Sequence, residues 1–451
     1  MKYTTVIGLE IHAELLTATK VFCGCANSFT HDENVNCCPV CVGLPGALPV
    51  LNRRAMEQSV TAGLALGCEI SEWSRWDRKN YFYPDSPKAY QISQLYAPFC
   101  AGGGLEIDGR FIRINHIHLE EDAGKLVHDG LRGVTRIDYN RCGVPLIEIV
   151  TEPDIRSAKE AAAFVELLRQ TLVYAGVCDG RMEQGSMRVD ANVSVMPLGS
   201  DTFGTRTETK NLNSFKHITA AIEYEAARQI ELLESGGRVV QETRRYHEAE
   251  NETSALRSKE DAQDYRYVPD PDILPLEIAR EEVARLRGAL PELPQARRER
   301  YAGWGLKELD IDVLLAKKAT SDYLDEVVKL GAPQIAAANI IRTDLLEKTL
   351  PPADLARILE LGGQGRLDVK PAVAAALNGK NIDDLIVVGD DGAVDAAVAE
   401  VLASRPDLAE QYRNGEVKVF GFLMGLCSKQ LKGKALPQAI KAALEKGLNN
   451  V

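Results

Sequence analysis

The stretch Ile117-His118-Leu119-Glu120-Glu121-Asp122-Ala123-Gly124-Lys125 decides how this chain reads. Three carboxylates follow one another, with an imidazole before them and an ammonium after. Side chains on a strand alternate between two faces. Over 117–122, Ile117, Leu119 and Glu121 therefore share one face, and His118, Glu120 and Asp122 the other. Clustered anions repel, so such a group persists only beside a cation, in bound water or in open solvent. Taken alone, the stretch reads first as the solvated acidic end of a hairpin. Other segments that repeat the arrangement change that reading.

Residues 4–14 alternate in the same way. Thr5, Ile7, Leu9, Ile11 and Ala13 fall on one face, and Glu10, His12 and Glu14 on the other. In 186–195, Met187, Val189, Ala191, Val193 and Val195 oppose Arg188, Asp190 and Asn192. Arg206, Glu208 and Lys210 share a face of 206–213. Antiparallel sheets commonly keep one face covered and one wet. An ordinary wet face carries Lys, Glu and Thr in no fixed order. Single carboxylates set beside Arg and Lys on strand after strand fit a concave site for metal ions and phosphates better.

A second donor set lies in Phe22-Cys23-Gly24-Cys25 and Cys37-Cys38-Pro39-Val40-Cys41. Two tight cysteine pairs a dozen residues apart are the spacing of a structural zinc site, here Cys23, Cys25, Cys38 and Cys41, with Cys37 spare. The competing reading is a set of reduced, buried thiols. Cys100, Cys142, Cys178 and Cys427 stand in apolar contexts and read as core thiols. Arg75, Arg78, Lys79, Tyr81, Tyr83, Lys88 and Tyr90 interleave cations with aromatics, which suits a phosphate-bearing ligand with stackable bases. Arg257 to Pro275 is charged and turn-rich, a stretch that lines the same site or forms a surface loop.

Helical spacing appears at 53–67, 157–175 and 217–235 among these strands. From about 291 the alternation vanishes, and helices are expected at 296–302, 310–330, 333–348, 351–360 and 370–377, then at 394–403, 406–413, 416–432 and 436–446. The expected fold is α+β: an antiparallel-sheet cradle over 1–290, an all-α helical domain over 291–395, and a small helical tail over 396–451. The formal charge of −12 disfavours indiscriminate nucleic-acid binding. From Arg413 onward, however, seven Lys/Arg face two Glu, a local basic patch suited to a nucleic-acid backbone. No apolar run approaches a membrane span, no signal peptide is visible, and thiol clustering favours metal over disulfides, so a cytoplasmic protein is expected.

Longer motifs carry a resemblance. Val6-Ile-Gly-Leu-Glu10-Ile-His12, Cys38-Pro-Val-Cys41-Val-Gly-Leu-Pro-Gly46, Asp77-Arg-Lys79-Asn-Tyr81 and His118-Leu-Glu120-Glu121-Asp-Ala-Gly124 carry its first part. Glu183-Gln-Gly-Ser-Met-Arg188-Val-Asp190-Ala-Asn192, Glu208-Thr-Lys210-Asn-Leu-Asn213, Arg257-Ser-Lys-Glu260 and Asp264-Tyr-Arg-Tyr267 continue it. The chain resembles, end to end, the B subunits of bacterial aspartyl/glutamyl-tRNA amidotransferases. The resemblance implies ATP-dependent phosphorylation of the side-chain carboxylate of Glu-tRNA(Gln), and of Asp-tRNA(Asn) in many members. Ammonia then displaces the phosphate. It implies an amidase (glutaminase) partner, the A subunit, that supplies the ammonia, and a heterotrimer completed by a small C subunit. It also implies a YqeY-like tail that holds tRNA. For the chemistry it points to Glu10, His12, Glu120, Glu121 and Asp190 around Mg²⁺. Lys79, Arg188, Lys210 and Glu208 would sit at the nucleotide, and Glu121, Lys79, Glu10 and Asp190 would be catalytic. Two other readings remain: a non-catalytic, zinc-stabilised tRNA-binding protein, and a metal-dependent phosphoesterase.

Overall fold

The opening strand, β1 (Tyr3–Glu14), lies in the middle of the sheet that organises residues 1–296. Its alternation explains that place: Ile7, Leu9, Ile11 and Ala13 are at most 1% exposed, while Gly8, Glu10, His12 and Glu14 are half-buried on the other face. In this computed structural model the chain is described over residues 2–449, apart from 131, 259–264, 347, 349, 387–390, 414–417, 432–434 and 436. Lys259, Glu260 and Asp264 of the charged turn-rich segment thus lie outside the described residues.

The remaining strands of the main sheet are β2 (Glu69–Ile70), β3 (Cys100–Ala101), β4 (Gly104–Ile107), β5 (Arg110–Glu121), β6 (Pro145–Thr151), β7 (Met187–Pro197), β8 (Thr207–Leu212), β9 (Glu242–His247) and β10 (Glu252–Ser258). Their order is β10-β9-β8-β7-β1-β6-β5-β3-β2, with β4 paired to β5. The pairs are antiparallel except β8 with β9, which is parallel. A slip of one residue would turn each polar set into the core, so the apolar alternation locks the register.

Three helices cover the apolar face. They are α1 (Arg53–Ala65), α2 (Ala158–Tyr174) and α3 (Phe215–Glu234). Phe164, Leu168 and Leu172 of α2, with Ile218 and Ile222 of α3, share one core with Ile7, Ile11, Val189 and Ile147. Each helix starts at a side-chain cap. Asn52 accepts from the N–H groups of Arg54 and Ala55, Ser157 from Glu160, and Ser214 from His217. Each such cap contributes about 1 kcal/mol. A shorter helix, α4 (Arg280–Gly288), follows, buried at Leu286.

The second compact unit, Arg297–Val451, is helical. Its elements run from α5 (Pro294–Gly303) through α6 (Glu308–Leu315), α7 (Lys318–Lys329), α8 (Gln334–Asp344), α9 (Pro352–Gly363) and α10 (Val369–Leu377). α11 (Asp391–Ser404), α12 (Pro406–Arg413), α13 (Lys418–Leu431) and α14 (Pro437–Asn449) complete it. The helix expected over 310–330 breaks in two, with Lys317 extended at φ −125°, ψ 125°. Periodicity supplies the reason. A straight helix would carry the stripe of Ile311, Leu314 and Leu315 onto Lys318, Asp322 and Asp325. The break turns the second half so that Leu324 and Val327 are buried instead. Helices α11 to α14 close their own core through Val398, Val401, Leu423, Cys427, Ile440 and Leu444. No helix among the described residues is long and apolar enough to cross a membrane.

Candidate active site

Sheet register brings the polar faces of five strands together. His12 on β1 stands opposite Glu148 on β6, which stands opposite His118 on β5. His12 Nε2 lies 3.3 Å from Glu148 and 3.9 Å from Glu120. His118 Nε2 lies 3.4 Å from Glu148 and 3.5 Å from Glu120. The donor atoms of His12, Glu120 and Glu148 all fall within 4.8 Å of one another. Burial works against every ion in this group, but mutual attraction outweighs it. Burial alone would lower His118, yet Glu148 and Glu120 lift it to about 10, and Glu148 lifts His12 as well. Glu120 and Glu148 are in turn held below the usual carboxylate range by the imidazoles, against the upward push of burial. The Ser93 hydroxyl donates to Glu120 at 3.1 Å.

A second cluster lies one step along the same face. Glu10 stands opposite Asp190 on β7, and Asn192 opposite Glu208 on β8. Carboxylate oxygens of Glu10, Asp190 and Glu208 lie within 4.8 Å of one another. Lys210 Nζ sits 2.7 Å from Glu208 and 3.2 Å from Asp190. Asn192 donates to Glu10 at 2.9 Å, and the Asn211 N–H to Asp190 at 2.8 Å. An irregularity in register between Val189 and Ala191 accompanies this crowding. Burial, then the charges of Glu148 and Glu208, raise the Glu10 carboxyl against the pull of Lys210. Three converging carboxylates with one ammonium keep a net negative charge, which a bound cation would offset. The all-oxygen donor set of this cluster suits Mg²⁺; the imidazole-containing set suits Mg²⁺ less.

Cations and a tunable acid border the clusters. Lys79, on the strand Asp77–Asn80, holds its Nζ 4.9 Å from the centre of the Tyr265 ring. Burial would lower its pKa, but the charges of Glu120 and Glu148 raise it, so it stays an ammonium. Arg188, opposite His12, donates to Asp122 at 2.6 Å. Glu14, on the same face as Glu10 and His12, is pushed up to about 7 by burial and by Asp122, against Arg188 and Arg141.

Of the residues read as Mg²⁺ ligands, Glu10, His12, Glu120 and Asp190 fall in these clusters, and Glu208 joins them. Glu121 falls in neither. Its carboxylate accepts from the Lys88 ammonium and, at 3.0 Å, from the Ile92 N–H. Strand alternation is the cause, since Glu120 and Glu121 leave β5 on opposite faces. Much of the basic-aromatic stretch is likewise committed internally: Arg75 to Asp77 at 3.4 Å, Arg78 to Asp270 at 2.7 Å, and Lys88 to Glu121. Glu148 completes a cluster that sequence reading left without it. The available signal was its place as the one charged position of Pro145-Leu-Ile-Glu148-Ile-Val-Thr151, flanked on its own face by Leu146 and Val150.

The cysteine knuckle closes as its spacing predicts. The sulfurs of Cys23, Cys25, Cys38 and Cys41 lie within 4.8 Å of one another. Cys41 is their hub, 3.5 Å from Cys23 and 3.8 Å from both Cys25 and Cys38. The bond from Cys23, with the Cys38 N–H and Lys20, draws the Cys41 thiol down against the push of burial, and the same bond pushes the Cys23 thiol up. Cys37 turns away and donates to the Asn34 carbonyl at 3.2 Å. Four convergent sulfurs fit a tetrahedral structural metal. Cys68, Cys100, Cys142, Cys178 and Cys427 are buried thiols elsewhere.

Beside Glu10 a cavity of about 200 Å³ opens, lined by Gly8, Thr151, Asn192, Ser194, Phe203 and Arg206 among others. Fold and site thus define an α+β protein with two carboxylate-rich donor clusters on one sheet face and a separate thiol centre. Residues 5–284 match the family described as the GatB/GatE catalytic domain, and residues 322–448 match the GatB domain. The B subunit of the aspartyl/glutamyl-tRNA(Asn/Gln) amidotransferase of Ruminiclostridium cellulolyticum is 47% identical over 477 residues, covering 100% of this chain and 98% of that protein. The proteins of the same name from Geobacter sulfurreducens and Thermodesulfovibrio yellowstonii are 47% and 45% identical, each alignment covering 99% of this chain and 100% and 99% of the relative. The chain belongs to the family of aspartyl/glutamyl-tRNA(Asn/Gln) amidotransferase B subunits.

Proposed function

We propose that this chain is the amidating subunit of a tRNA-dependent amidotransferase. In this reading it phosphorylates the side-chain carboxylate of Glu on tRNA(Gln), or of Asp on tRNA(Asn), with ATP. Ammonia then replaces the phosphate. The observation that carries the reading is the pair of donor clusters, His12/Glu120/Glu148 and Glu10/Asp190/Glu208, side by side on one sheet face next to a cavity. A purely tRNA-binding protein has no use for buried carboxylates brought together at the expense of mutual repulsion.

In the first step a carboxylate oxygen of the aminoacyl group attacks the γ-phosphorus of ATP and ADP leaves. In the second, ammonia attacks the acyl carbon and phosphate leaves, giving the amide. Phosphoryl transfer is catalysed mainly by positioning and by neutralising charge on the transferring oxygens. Divalent cations, when bound by the two clusters, supply that neutralisation. Lys79, held protonated and steered by the Tyr265 ring, and Lys210 bring further positive charge to the same face. Arg188, braced by Asp122, adds a third cation. The nucleotide occupies the cavity beside Glu10. Ammonia must be neutral to attack, and a carboxylate that titrates near neutral pH is suited to take the proton of ammonium. Glu14 meets that requirement on the site's own face, whereas Glu121 is committed to Lys88. Cys23, Cys25, Cys38 and Cys41 hold a structural zinc, in keeping with a bacterial cytoplasm where thiols stay reduced. Ammonia comes from an amidase (glutaminase) partner, the A subunit, and the heterotrimer is completed by a small C subunit. Residues 396–451 act as the tRNA-holding tail.

The test supplies the chain with its two protein partners, Glu-tRNA(Gln), ATP, Mg²⁺ and ammonium chloride in place of glutamine. Formation of Gln-tRNA(Gln) that requires the chain, the aminoacyl-tRNA, ATP, Mg²⁺ and ammonium is expected. ATP consumption indifferent to the aminoacyl-tRNA would favour a phosphoesterase and sink the proposal. Binding of the tRNA without any amide formed would favour the non-catalytic reading.

A further inference from the structure

Among the described residues, a buried charge at Lys20 has no part in the amidation site. Lys20 is fully buried, 0% exposed, between the cysteine knuckle and the end of β5. Its backbone N–H donates to the Cys25 carbonyl at 3.0 Å, its own carbonyl accepts from Asn52, and the next N–H, of Val21, donates to Gly143. The side chain is therefore anchored at its root. Its Nζ donates to Cys41 Sγ at 3.4 Å. The ammonium thus turns to a sulfur, although Glu121 lies close by: an added Cβ at Gly143 would lie 3.5 Å from Lys20 Cδ and 3.9 Å from Glu121 Oε2. Glu121 is already taken by Lys88 and the Ile92 N–H.

A buried ammonium is costly unless an anion faces it. Four thiolates around one divalent ion leave two negative charges uncompensated, and these are also costly to bury. We infer that Lys20 is the counter-cation of the thiolate centre: it neutralises half of that excess charge and fixes Cys41 by an N–H···S bond, so that metal retention depends on it. The inference rests on the reading that the knuckle holds a metal. Lys20 is a positioning residue in this account, since it acts through Cys41 and touches no substrate. Polar groups around a metal's direct ligands commonly change affinity by about 10–100-fold when removed.

The test loads the full chain with Zn²⁺ and times its release to a chromogenic chelator, for the wild type and for Lys20→Met, which keeps length and loses the charge. Release about 10–100-fold faster in the variant is expected. With Co²⁺ in place of Zn²⁺, the sulfur-to-metal charge-transfer band should move to lower energy once the N–H···S bond is gone. Wild-type release together with an unchanged cobalt band overturns the inference. If Lys20→Met does not fold, acylation of wild-type lysines mapped by mass spectrometry replaces it. Lys20 is then expected to be protected in the zinc-loaded chain and labelled after chelation, and equal labelling in both states overturns the inference. A wild-type chain that binds no zinc overturns the metal reading and this inference with it; bound zinc indifferent to Lys20 overturns the inference alone.

Discussion

At the scale of single residues, the candidate site sets like charges close to one another. Glu14 shows the consequence most plainly. Its carboxyl, ordinarily at 4.5, is pushed up to about 7 by burial and by Asp122. Between those values the folded chain holds a proton that the unfolded chain has released, so stability falls as pH rises. The contribution is fully present below about 4.5 and lost as pH passes about 7. Glu14→Gln removes this titration. Urea unfolding should show the variant gaining on the wild type from pH 5 to pH 8; a constant difference across that range contradicts the shift. The grouping of Glu10, His12, Asp190 and Glu208 was legible in sequence because each sits at an alternate position of a strongly alternating strand. Glu148 was not, because an apolar strand carrying one charge reads as core until its neighbours across the sheet are known. Glu121 shows the reverse case. Parity had already set it on the face of Ile117 and Leu119, and its motif membership argued against that parity.

At the scale of elements, β1 carries most of the arrangement. It pairs with β7 over eleven residues and with β6 over five, and holds Glu10 in one cluster and His12 in the other. Ile11, between them on the opposite face, is fully buried in the main core. Ile11→Ala should cost about 2–5 kcal/mol of unfolding free energy, the usual range for a buried aliphatic truncation. Denaturant titration checks it, and a loss under about 1 kcal/mol would mean that the core on this strand is loosely packed. The strands and the helices α1 to α3 were legible because period two and period 3.6 are both strong in this chain and each helix opens at Asn or Ser. The break between α6 and α7 was not, since no Gly or Pro marks it. It follows from which apolar stripe finds a partner, a tertiary fact that the local pattern carries only as a phase shift between Leu315 and Leu324.

At the scale of the whole molecule, a chain of net charge −12 must still meet tRNA. Lys418, Lys429, Lys441 and Lys446 belong to the helices that share the separate core of α11 to α14. Because that core is its own, and because α11 starts at Asp391, ahead of the expected tail boundary at 396, removing 391–451 should leave the circular dichroism of the remaining strands intact while tRNA affinity falls and becomes less salt-sensitive. Unchanged affinity would refute the role given to the tail. Amidation as proposed stands or falls with two cations on the sheet face, and bound Mn²⁺ can be counted there by electron paramagnetic resonance in the presence of ATP. Two ions are expected for the wild type. One is expected for Glu148→Gln, one for Glu208→Gln and none for the pair, with ammonium-driven Gln-tRNA formation lost in all three variants. Wild-type Mn²⁺ stoichiometry and wild-type amidation in both single variants would contradict it.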